Sequence, residues 1–215
     1  MDAIIENLPV FLEGFGKTLG LLALSGLLAL ILGTVVAAMR ISPVGSLRGF
    51  ATVYTELVRN TPLTLVLFFC GVLLPSLGFP PNYFALAVLG LTIYTSPFFA
   101  EAIRSGINGV PIGQAEAARS LGLGFGQTLR HVVMPQALRM VVPPIINVFI
   151  ALTKNTSVAG GFFVIELFAS ASVVINDRGD EVIAILLAVA FFYLLITIPL
   201  GFVAARVEKR VAILR

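Results

Sequence analysis

Between Lys17 and Arg40, between Arg59 and Glu101, and between Glu181 and Arg206, the sequence carries no charged residue. About 20 consecutive apolar residues suffice for a helix to cross the hydrocarbon core of a bilayer. These three runs are that long or longer. They constrain the chain to an all-α integral membrane protein, because backbone groups in lipid must find their partners within the element itself. Composition agrees: 12% of the 215 residues are charged, about half the share usual for a soluble domain.

The runs resolve into five predicted spans, at 16–39, 54–75, 83–103, 133–153 and 182–205, in one membrane domain over 1–215. Pro75, Gly78, Pro80, Pro81 and Asn82 mark the turn between the second and third. Segment 158–175 is apolar but holds Glu166 and carries Gly160–Gly161 near its start. A sixth span there would put the basic tail on the opposite side from the other basic loops, against the positive-inside rule. It is therefore expected as a helix lying on, or dipping into, the outer face. With five spans, one side carries Arg40, Arg48, Arg104, Arg119, Arg130, Arg206, Lys209, Arg210 and Arg215. The other carries Lys17, Lys154 and Arg178 against Asp2, Glu6, Glu13, Asp177, Asp180 and Glu181. This predicts the N-terminus outside and the C-terminus in the cytoplasm. The same asymmetry accounts for a pI near 9.4 without a nucleic-acid partner. Asp2, Glu6 and Glu13 have the wrong sign for a cleavable signal. The lone Cys70 is expected to pack, with no intrachain disulfide.

"GFGKT" (14–18) has the look of a phosphate-binding loop, but the first glycine of that motif would fall on Phe11 and no strand precedes it. The sequence offers no nucleotide, cofactor or metal site, and no enzymatic constellation.

Prolines 62, 97 and 143–144 interrupt spans two, three and four. Broken helices are tolerated where they line protein or a wet cavity, so these spans are expected to face a pathway, with spans one and five at the periphery. Polar residues on them are the pathway candidates: Thr61, Thr64, Thr92, Tyr94, Thr95, Ser96, Glu101, Arg104, Asn147, Lys154, Asn155, Thr156 and Ser157. Plainer roles stand beside these. Glu101 and Arg104, three apart, suit a helix-face ion pair, as do Glu56 and Arg59. Lys154 suits an interfacial lysine, and Thr and Ser in spans bond back to their own helix. Five spans are few to enclose a pathway, so a second copy or homologous subunit is expected. Gly26, Ala29 and Gly33 suit close packing.

"EAARSLGLGFGQTLRHVVMP" (116–135) stands apart, polar and basic in an oily chain. Glu116 to Leu121 predicts a short helix, with Gly122 as its left-handed C-cap. It is either a solvated loop or a knob for a soluble partner. With "TELVRNTPLTLVLFF" (55–69), "AEAIRSGI" (100–107) and "LTKNTSVA" (152–159), in the same order, it resembles the ABC importer permeases of the polar-amino-acid family, the histidine/glutamine/glutamate type. The resemblance covers nearly the whole chain. It implies the type I importer permease fold, with Glu116, Ala117, Ala118, Arg119 and Gly122 in a coupling helix seated on a cytoplasmic ATPase. It also implies two such ATPase subunits, a second permease subunit, an extracellular or periplasmic amino-acid-binding protein, and alternating access in the bacterial plasma membrane. Members often carry aspartate where this chain has Asn155. With Lys154 beside it and Arg104 taken to lie across the path, that departure favours glutamate or glutamine over arginine or histidine. A channel or ion-coupled carrier lacks support: no filter-like segment, acidic ring or inverted repeat is visible.

Overall fold

The computed structural model describes residues 2–212; Arg215, counted above with the basic tail, lies outside them. Among the described residues every regular element is helical. A turn at Asp2–Glu6 precedes α1 (Leu8–Arg40), α2 (Gly45–Arg59), α3 (Leu63–Ser76), α4 (Tyr83–Asn108), α5 (Ile112–Ser120), α6 (125–155), α7 (Leu167–Asp177) and α8 (Val182–Ala212). α1, α4, α6 and α8 are each long and apolar enough to span a membrane, and the bent pair α2–α3 makes a fifth candidate.

α1 is apolar all round, so polarity cannot choose its inner face. Size does. Its buried residues recur at helical spacing and are mostly small: Gly14, Thr18, Ser25, Ala29, Gly33 and Ala37, with Phe11 and Leu21. Leu24, Leu27, Ile31 and Val35 point outward. Small residues let helix axes approach where lipid gives no hydrophobic drive. Gly33 lies against the backbone of Ser96 and Ala100 in α4, and Gly26 against Phe149 in α6. The close packing expected of Gly26, Ala29 and Gly33 is thus spent inside the chain. α1 is also more central than a peripheral span, with one face in lipid and the other forming the seam with α4.

The second span differs from its expected limits. Residues 54–59 belong to α2, which meets α3 at 99°. Pro62 is the cause. Its φ of −60° and ψ of 138° are extended, and it has no N–H to donate. Two side chains close the end of α2: Asn60 Nδ2 donates to Glu56 O (2.7 Å) and Thr61 Oγ1 to Leu57 O (2.8 Å). Arg59 does not pair with Glu56; its guanidinium lies 5.6 Å from the centre of the Phe98 ring.

Pro75 and Pro135 are absorbed differently. Each follows a single π turn, at Phe69–Leu73 and Leu129–Val133. The last N–H before each proline reaches back five residues, Leu74 N to Phe69 O and Met134 N to Leu129 O. The helix widens by one residue instead of breaking. Pro199 sits inside α8, so proline content does not by itself single out spans two to four as pathway-lining.

Segment 158–175 does not span. A 3-10 turn, Thr156–Phe162, leads through Phe163 at φ 66° into α7. Its 11 residues reach only about 16 Å. Leu167, Ala171 and Val174 pack on Phe11 of α1 and Ile185 and Val189 of α8. Here "GFGKT" is ordinary helix within α1, and Thr18 Oγ1 donates to Glu166. Glu166 is fully buried. Its carboxylate accepts from Phe168 N (3.0 Å), Ala169 N (2.9 Å), Tyr193 OH (2.9 Å) and Thr18 Oγ1 (3.3 Å). Burial pushes this carboxyl above the usual carboxylate range, and the four donors oppose that shift only in part. One side chain therefore caps α7 and ties it to α1 and α8. Glu166→Ala leaves four donors without their acceptor, one of them fully buried, and is expected to cost about 3 kcal/mol. A clear fall in melting temperature in detergent is the readout; unchanged melting contradicts it.

Candidate functional site

The bundle has an acidic end, with the start of α1, α7 and the start of α8, and a basic end, with the end of α1, α5 and the start of α6. Each end holds one group of the candidate residues, and a cleft lies between.

The cleft opens between α4 and α6 and encloses about 400 Å³. Tyr94, Thr95, Phe98, Asn147, Ala151 and Asn155 are among its walls. Pro97 in α4 and Pro143–Pro144 in α6 lie in the two wall helices. Tyr94 and Phe98 pack with ring centres 5.4 Å apart. Thr95 is 3% exposed, and its hydroxyl has no hydrogen-bond partner. A buried polar group without a partner needs an explanation, and a polar ligand in the cleft supplies one. Of the pathway candidates the cleft gathers Tyr94, Thr95, Asn147 and Asn155. Phe98, which helps complete its wall, was not on that list; its place four residues after Tyr94 on the same span was the available signal.

The other candidates fall elsewhere, among them Thr92, buried in α4 outside the cleft lining with its hydroxyl likewise unpartnered. Ser96 shares a hydrogen bond with Tyr54 OH (2.7 Å). Thr61 closes α2, and Thr64 is exposed just past the bend. Thr156 and Ser157 donate to their own turn, at Thr153 O and Lys154 O. Lys154 is exposed at the acidic end.

Glu101 does pair with Arg104, at 2.8 Å. It also pairs with Arg40 at the end of α1, a partner 61 residues away that helix-face spacing could not reveal. One carboxylate thus holds two guanidiniums at the basic end. Arg104 therefore does not lie across from Lys154 and Asn155, which stand at the acidic end, and the anion-binding argument loses that member.

α5 and the turn after it project from the basic end. α5 ends on a two-bond cap: Leu123 N donates to Ala118 O (3.2 Å) and Gly122 N to Arg119 O (2.9 Å). Gly122 has φ +87°, so this is the glycine-dependent terminus expected for it. Ala118 is buried beneath the turn, and Gln136 Nε2 donates to Gln114 Oε1 (2.9 Å), fastening α5 to α6. Glu116, Ala117 and Arg119 are exposed, beside a large apolar surface: Ile112 is 76%, Leu121 81% and Phe125 78% exposed.

Residues 29–213 match the model of the binding-protein-dependent transport system inner membrane component family. The chain is 42% identical to the glutamate transport system permease protein GluC of Corynebacterium glutamicum, over 95% of each chain. It is 40% identical to the probable glutamine ABC transporter permease protein GlnM of Bacillus subtilis, over 98% of this chain and 97% of that one. Its fold matches a crystal structure of an amino acid ABC transporter with histidines at a TM-score of 0.88, with 28% identity and 96% of each chain covered. The apolar spans, the capped basic-end helix and these likenesses agree: the chain belongs to the membrane permease subunits of binding-protein-dependent ABC importers.

Proposed function

We propose that this chain is one of two permease subunits of an ATP-driven importer of glutamate or glutamine. Two cytoplasmic ATPases sit under the basic end, and an amino-acid-binding protein delivers substrate to the acidic end. The N-terminus is outside and the C-terminus inside, in keeping with the positive-inside rule. ATP hydrolysis belongs to the separate subunits; α5, with Glu116, Arg119 and its apolar neighbours, seats in an ATPase groove and moves α4 and α6 with it. The α4–α6 cleft passes the substrate. Asp177, Asp180 and Glu181 near the start of α8 contact the binding protein. Arg178, which pairs with Glu6, Asp180 and Glu181, holds that acidic corner in shape.

The observation that carries the reading is the cleft, with Thr95 unpartnered in its wall, in a chain about 40% identical to permeases named for glutamate and glutamine. Among the described residues no charged side chain lines the cleft. Two amides, a threonine and a tyrosine suit an amino-acid zwitterion with a neutral polar tail, and nothing in the wall balances a side-chain charge of either sign; glutamate stands beside glutamine on the likeness to permeases named for both.

The test is uptake of labelled glutamate, glutamine, arginine and histidine by the reconstituted transporter, with wild type and Thr95→Val compared. Glutamate or glutamine is the expected cargo. Thr95→Val removes a hydroxyl that no protein group uses, so melting should hold while KM rises about tenfold. An unchanged KM contradicts the cleft reading, and transport of arginine alone contradicts the substrate assignment.

A further inference from the structure

α2 presents three faces, and each meets a different medium. At about 100° per residue, Ala51 and Thr55 share one side, and both are buried, Ala51 among Val36, Ala37 and Ala100. About a third of a turn away lie Leu47, Phe50, Val53 and Leu57, which are 42%, 66%, 58% and 64% exposed. On the remaining side stand Arg48, Thr52, Glu56 and Arg59. A spanning helix beside a bundle has only two surroundings, protein and lipid. A helix lying along a membrane surface beside a bundle has three: protein at its flank, lipid above and water below.

The tethers of α2 fix which way its faces point. Tyr54, at the edge of the apolar face, reaches along α4 to Ile93 O (3.1 Å) and Ser96 Oγ (2.7 Å), toward the middle of the bundle. Arg48, on the polar face, donates to Ser42 O (3.3 Å) in the turn just beyond the basic end of α1. The apolar face therefore looks toward the bilayer core and Arg48 looks away from it. The 99° bend into α3 sets α2 across the direction of the span it precedes.

We propose that α2 is a phospholipid-docking helix, seated in the headgroup–acyl boundary of the leaflet at the basic end. Leu47, Phe50, Val53 and Leu57 lie among acyl chains, and Arg48 stands at phosphate level, while Arg59 turns in onto the Phe98 ring. Arginine beside lipid phosphate is ordinary charge-assisted bonding. The apolar face continues the lipid-facing surface of the spans, and the charged face matches the headgroup layer. Tyr54 and Arg59 join this helix to Ser96 and to Phe98, the latter in the cleft wall. The bilayer surface thereby braces one wall of the cleft.

The chain has no tryptophan, so one introduced tryptophan reports its own surroundings. Phe50→Trp and Thr52→Trp would be placed singly in the full-length chain, in phosphatidylethanolamine–phosphatidylglycerol vesicles with and without dibrominated acyl chains. Dibrominated lipid should quench Phe50→Trp several-fold more than Thr52→Trp, and acrylamide should quench Thr52→Trp several-fold more than Phe50→Trp. Equal quenching at the two sites overturns the proposal. So does a Phe50→Trp silent to both quenchers, which would mean that a second protein copy covers this face. The test needs only insertion of the chain, so it stands apart from the assignment of substrate or ATPase.

Discussion

Gly122→Val should abolish ATP-coupled uptake, by tenfold or more, while leaving the protein inserted and folded. The argument is local. Gly122 has φ +87°, a region that costs a residue with a Cβ about 1–2 kcal/mol, and in which a β-branched residue is an outlier. To relieve that strain the chain must give up the bonds from Gly122 N to Arg119 O and from Leu123 N to Ala118 O, and with them the angle at which α5 meets α6. A Cβ built at Gly122 meets nothing within 4 Å. The defect therefore acts through the backbone of the connection, and the spans should be spared. Gly122→Asn is the companion variant, because asparagine tolerates the left-handed region; it should keep most of the transport. ATPase activity that persists in the valine variant while uptake fails is the signature of lost coupling. Normal uptake by Gly122→Val contradicts the role given to α5.

Gly33→Leu should destroy the subunit itself. A Cβ at Gly33 would stand 2.6 Å from Ser96 O, 2.7 Å from the Phe99 Cβ and 3.2 Å from Ala100 N. Backbone atoms of α4 cannot rotate out of the way, so α1 and α4 must separate. Over-packing typically costs about 1–3 kcal/mol. Here the displaced element is a whole helix axis, which puts the expected cost at or above the top of that range. Folded, monodisperse protein in detergent should be largely lost. Gly16 lies in the same helix with open space at its Cβ, so Gly16→Leu adds the same bulk at little cost. Equal melting of the two variants would mean that the α1–α4 seam is not the close contact described.

Reading ahead from sequence worked where the physics was local. Long uncharged runs gave α1, α4 and α8, because length and charge alone decide what crosses lipid. Gly122 was legible because a left-handed C-cap has few chemical solutions. The bend after α2 was the clearest miss. Val53 and Leu57 are as apolar as the residues of α3, so the window ran on through Pro62. The contrary signal was the periodicity of 45–59, with Arg48, Thr52, Glu56 and Arg59 on one side and Leu47, Phe50, Val53 and Leu57 on the other.

The site was legible in part. Tyr94, Thr95, Asn147 and Asn155 stood out as polar residues on proline-bearing spans, and they do share the cleft. Arg40 beside Glu101, Tyr54 on Ser96 and Tyr193 on Glu166 are pairings across 61, 42 and 27 residues. Such pairings follow from helix packing, which spacing along one helix does not encode. Glu166 itself was visible as a carboxylate in an apolar stretch, but its four donors come from three elements that only the fold assembles.

The most direct measurement is uptake by proteoliposomes that hold this permease with its ATPase, its binding protein and any second permease subunit. Labelled glutamate and glutamine would be supplied with ATP, without ATP, and with the ATPase omitted. Accumulation only when ATP and the ATPase are both present is the expected result. Equal accumulation without either would contradict an importer driven through α5.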